Sequence, residues 1–164
     1  MTLEIRTFGD PVLKSSAAPV DTFDESLARL AEDMMETMRA YEGVGLAANQ
    51  VGRLKRILVA ALEDEEIVLV NPVIEGEADE LETDSEGCLS IPEIQVEVER
   101  PVAVTVSGQD LTGEPILIEA SGLLARILQH EMDHLNGVLI LDRTDRESRK
   151  AAMREFRTRL MARG

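Results

Sequence analysis

Leu27, Leu30, Ala31, Met34, Met38 and Tyr41 recur at intervals of three and four, the stripe of an amphipathic helix. Thr22 as N-cap with Glu25 three residues on is a capping-box signature for its start. Gly43 and Gly45 end it, and its methionines read as core filler. Short apolar runs over 56–61 and 67–70 predict strands, with Pro72 at a strand edge or turn. Ile94, Val96 and Val98 alternate with Gln95, Glu97 and Glu99, the period of a half-buried strand. Val102, Val104 and Val106 repeat that pattern. Ile116, Leu117 and Ile118 follow a turn region over 108–113, which predicts a hairpin. A second helix over 121–135 is apolar on most sides through Leu123, Leu124, Ile127, Leu128 and Leu135, so it should be buried. Asn136-Gly137 stops it. A third helix is expected over 145–161. Strands framing one buried helix, with outer helices towards both ends, predict an α+β fold.

A chain of 164 residues makes one domain, 1–164, with a core of ordinary size. The apolar run 57–62 is far too short to span a bilayer. The first residues show no basic patch followed by an apolar stretch, so no signal peptide is expected and the cytoplasm is the expected compartment. A single cysteine, Cys88, excludes an internal disulfide and leaves a thiol free for chemistry. With 17 basic and 32 acidic residues the net charge is −15, a poor match to a phosphate backbone. Phe8, Phe23, Tyr41 and Phe156 are the aromatic residues, so no stacking platform for single-stranded bases is expected. The charge is uneven: residues 143–164 hold eight Arg or Lys and three acids, on a body that is otherwise strongly acidic. Residues 75–85, rich in Glu and Asp, read as a solvated loop or strand edge.

Both histidines lie in His130-Glu131-Met132-Asp133-His134. Four residues apart on a helix, they face one way and can share a metal ion. Glu131, beside the first of them, can reach water at that metal as a general base. A catalytic centre usually has three protein ligands and an open position. The third is either Cys88, in Glu86-Gly87-Cys88-Leu89-Ser90, or a carboxylate such as Glu155. A zinc peptidase predicts the carboxylate; a structural metal site predicts a fourth ligand. Gly43-Val44-Gly45-Leu46-Ala47-Ala48-Asn49-Gln50 has little side-chain bulk, which suits a wall that substrate approaches closely. Gln50 offers an amide NH₂ for a developing oxyanion.

Taken together, residues 43–50, 86–90 and 129–135 resemble, in order, the three motifs of the bacterial peptide deformylase family. The resemblance extends from Gly9-Asp10-Pro11-Val12-Leu13 to the last helix. It implies antiparallel strands around a buried metal-binding helix. It also implies removal of the formyl group from N-terminal formyl-methionine of nascent peptides, with release of formate. It assigns Cys88, His130 and His134 to one divalent metal, Fe²⁺ in the cell, with Zn²⁺, Ni²⁺ or Co²⁺ able to substitute. Glu131 is the implied proton shuttle, and Gln50 with the Leu89 N–H the implied oxyanion donors. Val44, Gly45, Arg100, Leu123, Arg126 and Ile127 are expected to bind substrate. Arg126 departs from the apolar residue some relatives carry there, and its stem can still line the pocket. The basic last helix is a candidate for weak contact with the phosphate-rich ribosome; neither a membrane nor a specific nucleic-acid sequence is expected as a partner.

Overall fold

The computed structural model describes residues 1–163, with side chains through residue 162. Helix α1 runs Glu25–Ala40. Its cap is Asp24, whose carboxylate accepts the Leu27 N–H at 3.1 Å. Thr22 lies two residues upstream and bonds Asp21 instead, so the expected Thr22 cap is corrected. Asp competes at least as well as Thr for an N-cap, and the sequence offers both within three residues.

Strands β1 (Gly45–Ala47), β2 (Ile57–Leu62), β3 (Glu65–Glu77), β6 (Ala103–Gln109) and β7 (Pro115–Ser121) form an antiparallel sheet in the order β1-β2-β3-β6-β7. Strands β4 (Leu81–Cys88) and β5 (Ile91–Pro101) form a separate antiparallel hairpin. These are the two sheets among the described residues. Pro72, expected at a strand edge or turn, sits inside the 13-residue β3 at a register shift. Asn71 takes φ +52° there, and its side chain binds the Val20 backbone and Gln109, which absorbs the bulge. The acidic stretch 75–85, expected as a solvated loop or strand edge, spans the exposed end of β3 and the start of β4.

Strand β2 is buried on both faces, which explains its unbroken apolar run. Ile57 and Val59 join α1 and Leu46 in one core cluster. Leu58 joins Leu69, Val106, Leu128 and Leu135 in a second, under helix α2 (Gly122–Leu135). Gly137, at φ +73°, turns the chain out of α2. Helices α3 (Ile140–Arg143) and α4 (Arg146–Arg163) follow, and Asp145 accepts the Ser148 N–H at the start of α4. A third cluster joins the hairpin residues Ile91, Ile94 and Val98 to Ile140, Leu141 and Phe156. Phe8 meets Phe156 edge to face at 5.4 Å. Helix α2 therefore lies between the large sheet and the hairpin, and the site forms where they meet.

Candidate metal centre

His130 and His134 project from one face of α2 with their Nε2 atoms 3.3 Å apart. Cys88, at the end of β4, brings Sγ to 3.2 Å from His134 Nε2. All three donor atoms lie within 4.8 Å of one another. Neighbouring ligands around a tetrahedral ion with metal–nitrogen bonds of about 2.0–2.1 Å sit roughly 3.3 Å apart, so the spacing fits a metal ion. The donor set, two imidazole nitrogens and one sulfur, suits a transition metal and not Ca²⁺ or Mg²⁺. Glu155, the other candidate third ligand, pairs with Arg159 on α4.

Glu86 lies two residues before Cys88 on β4, whose pairing with β5 shifts register between Gly87 and Cys88. Its Oε1 is 2.9 Å from His130 Nδ1, which leaves Nε2 to face the centre. Arg100 grips Glu86 in a fork, at 2.7 and 3.0 Å, and also reaches Asp133 at 2.9 Å. Arg143 closes on Asp133 at 2.8 and 3.0 Å. Burial alone would raise Glu86, but hydrogen bonds from His130 and Arg100 hold its carboxyl down at about 2. Burial also opposes charge on His130, but Glu131, the Cys88 sulfur and Glu86 outweigh it and raise that ring. Burial and the charge of His130 push His134 well down.

Glu131 is buried, and its Oε1 has no hydrogen-bond partner among the described residues. Burial pushes its carboxyl up to about 7. A cleft of about 880 Å³ opens over this carboxylate and over Cys88 and His130. Gln50 is buried at one end of it. Its Oε1 accepts the Ala47 N–H at 3.0 Å, which fixes the amide so that Nε2 faces Ser90 Oγ at 3.1 Å and Cys88 Sγ at 3.6 Å.

The structure separates the residues expected to bind substrate. Val44, Gly45, Leu123, Arg126 and Ile127 line the cleft, as does Leu89, the expected oxyanion donor. Arg100 does not. It is 4% exposed, and its guanidinium is committed to Glu86 and Asp133, so its expected substrate contact is corrected to a place beneath the centre. The close approach foreseen for Gly45 is made by the protein itself. A Cβ there would meet Glu131 Oε2 at 2.6 Å. Sequence reasoning assigned no role to Glu86, Asp133 or Ser90.

Two imidazoles and a thiol converging under an open cleft, beside a buried unpaired carboxylate, define a mononuclear metal centre placed to act on a bound molecule. The family model for polypeptide deformylase matches residues 2–150. Peptide deformylase 1 of Corynebacterium efficiens is 53% identical over 154 residues, covering 92% of this chain and 91% of that protein. The crystal structure of peptide deformylase from Thermotoga maritima aligns with a TM-score of 0.87 at 48% identity, covering 88% of this chain and 99% of that one. The Synechococcus elongatus peptide deformylase, solved in complex with actinonin, aligns with a TM-score of 0.90 at 46% identity, covering 93% and 85%. The chain belongs to the polypeptide deformylase family and is an enzyme.

Proposed function

We propose that this enzyme, with residues 1–164 forming one catalytic domain, removes the formyl group from the N-terminal formyl-methionine of newly made polypeptides, releasing formate. The convergence of Cys88, His130 and His134 beneath the cleft, with Glu131 alongside, carries the reading. Those three residues would hold one divalent ion. The N₂S donor set accepts Fe²⁺, Zn²⁺, Ni²⁺ or Co²⁺, and the family resemblance favours Fe²⁺ in the cell. When bound, the ion supplies Lewis acidity and makes water a nucleophile at neutral pH.

The remaining work falls to the protein. Glu131 takes the proton of the attacking water and passes it to the leaving amine. Its burial raises its proton affinity towards neutrality, which suits both halves of that task. Gln50 Nε2 and the Leu89 N–H donate to the oxyanion as the formyl carbon becomes tetrahedral. Val44, Gly45, Leu123, Ile127 and the Arg126 stem form the wall for the methionine side chain. The test is formate release from a formyl-Met peptide by protein loaded anaerobically with Fe²⁺, or with Ni²⁺. Fully loaded protein that releases no formate refutes the assignment.

A cytoplasmic location follows from the substrate, and so does a second contact. On α4, Arg146, Lys150, Arg154 and Arg157 border one shallow groove, and none is in an ion pair among the described residues. Arg143, Arg149 and Arg159 are paired, with Asp133, Asp142 and Glu93. The side chain of Arg163 lies outside the described residues. The unpaired cations fit weak, salt-dependent contact with ribosomal phosphates. Truncation after Asp145 should weaken co-sedimentation with ribosomes at low salt and leave activity on a short peptide largely intact; a truncated chain that unfolds makes the helix structural, through Ala152 and Phe156, and overturns the contact. Unchanged sedimentation excludes the contact.

A further inference from the structure

Arg126 stands one turn before His130 on α2. It lines the cleft, and its guanidinium is hydrogen-bonded to the hairpin. Nη1 donates to Glu86 Oε2 at 2.6 Å and to the Val98 carbonyl at 2.9 Å, and Nη2 donates to the Glu82 carbonyl at 2.8 Å. One side chain thus ties the histidine helix to both strands of the hairpin that carries Cys88.

An ionised carboxylate offers about four acceptor sites. In Glu86 all four are taken. Oε1 receives Arg100 Nη2 at 3.0 Å and His130 Nδ1 at 2.9 Å. Oε2 receives Arg100 Nε at 2.7 Å and Arg126 Nη1 at 2.6 Å. Arg100 grips both oxygens together, and His130 and Arg126 take the remaining site on opposite oxygens. Take Arg126 away, and a buried oxygen keeps an empty acceptor site and the carboxylate loses one of the four donors that fix its orientation. The orientation of the His130 ring is then set less sharply, and outer partners of metal-ligating histidines commonly change metal affinity about 10–100-fold.

We propose that Arg126 is a positioning residue for His130: by filling the last acceptor site of Glu86, it fixes the carboxylate that orients the imidazole towards the metal. This rests on Cys88, His130 and His134 being the ligands. Arg126 itself touches neither the donor atoms nor the reacting group, so its effect belongs in how the metal is held.

The experiment uses the full-length chain loaded with Co²⁺, comparing wild type with R126M and R126K. Two quantities are read: the rate of Co²⁺ loss to excess chelator, and the visible absorption of the bound Co²⁺. R126M keeps an apolar stem at the cleft wall and removes every donor. It should lose Co²⁺ about tenfold faster, with a shifted spectrum. R126K keeps a cation that can reach Glu86 but cannot span the strand carbonyls as well; it should return both quantities close to wild type. R126M with wild-type release and spectrum overturns the proposal. So does R126K that behaves like an altered R126M, because the strand carbonyls and not Glu86 would then carry the effect. If R126M does not fold, R126K decides alone: wild-type release and spectrum support the proposal, and altered values or failure to fold overturn it. Wild-type chain that takes up no Co²⁺ overturns the ligand assignment itself, and the proposal with it.

Discussion

Replacing Gly45 with Ala puts one methyl group against the Glu131 carboxylate. The added Cβ would lie 2.6 Å from Oε2, 3.0 Å from the Glu131 Cγ and 3.0 Å from Ile127 Cγ2. Ordinary carbon–oxygen contact is several tenths of an ångström longer, so something must move. Gly45 is paired in β1 with Ala60 of β2, and both residues are buried, so the backbone has little room to give. The carboxylate, with Oε1 unpaired, is the part that can move. A displacement of about 1 Å in a catalytic group can cost on the order of 10²-fold, and general acid–base groups supply roughly 10²–10⁴-fold. Gly45→Ala should therefore lower kcat by about 10²-fold or more. Metal content should stay at the wild-type level, since no donor atom is touched, and overpacking should lower stability by about 1–3 kcal/mol. The assay is kcat for a short formyl-Met peptide at matched Ni²⁺ content. Gly43→Ala is the companion: its Cβ would meet the Leu89 side chain at 2.7 Å, a flexible end that can turn away, so the change should fall mainly on KM. Gly45→Ala with kcat within twofold of wild type would refute the placement of Glu131 as the shuttle.

Cys88→Ala should abolish stable metal binding, read as metal per chain after gel filtration; full occupancy would remove Cys88 from the ligand set. Glu131→Gln should retain the metal and lose turnover by ~10²–10⁴-fold, and an unchanged rate at full metal content would exclude the proton transfer. Gln50→Ala should lower kcat by ~10²–10³-fold; a loss confined to KM would make Gln50 a substrate-positioning group instead. Asp142 is held below the usual carboxylate range by Lys14, the Leu139 N–H and Arg149, against the opposing effect of burial. Its stabilising share is present above the ordinary Asp range and is lost as pH falls through the lower folded value. Asp142→Asn should thus be less stable than wild type at neutral pH, the gap closing in acid-unfolding measurements as pH drops below about 3.8; a gap that persists there contradicts this.

What could be read along the chain depended on how local each cause was. His130 and His134 are four apart on one helix, so their convergence follows from helical geometry alone. The buried side of α2 and the alternation in β5 were equally local. Cys88 stood beside Glu155 as a candidate third ligand, and only the resemblance chose between them, because its distance to α2 is fixed by the folding of the hairpin against the helix. Asp24 displaced Thr22 as the cap of α1 within a stretch where either residue satisfies the pattern. Pro72 looked like a terminator, since only the side chain of Asn71 shows how the strand passes it. Arg100 was expected to bind substrate through the resemblance alone, and charged residues are rarely buried. Its burial is compensated by Glu86, 14 positions earlier, and Asp133, 33 later, a pairing no sequence window contains. The strand at 81–88 was legible only as one of two readings, loop or strand edge, because its composition is acidic and solvent-facing.

The hairpin β4–β5 shares no strand with the larger sheet, yet it carries Cys88, while α2 carries both histidines. With those three residues as ligands, an ion joins two parts of the molecule that backbone pairing leaves unjoined. Occupancy then becomes a variable of folding as well as of catalysis. A ligand at about 100 times its dissociation constant adds roughly 2.7 kcal/mol to the folded state. That is a large fraction of the stability of a domain this size. A cell short of the metal would hold fewer intact copies of the enzyme as well as fewer active ones, as proteolysis draws on the loosened population. Supply of the ion would then set how much of this protein persists.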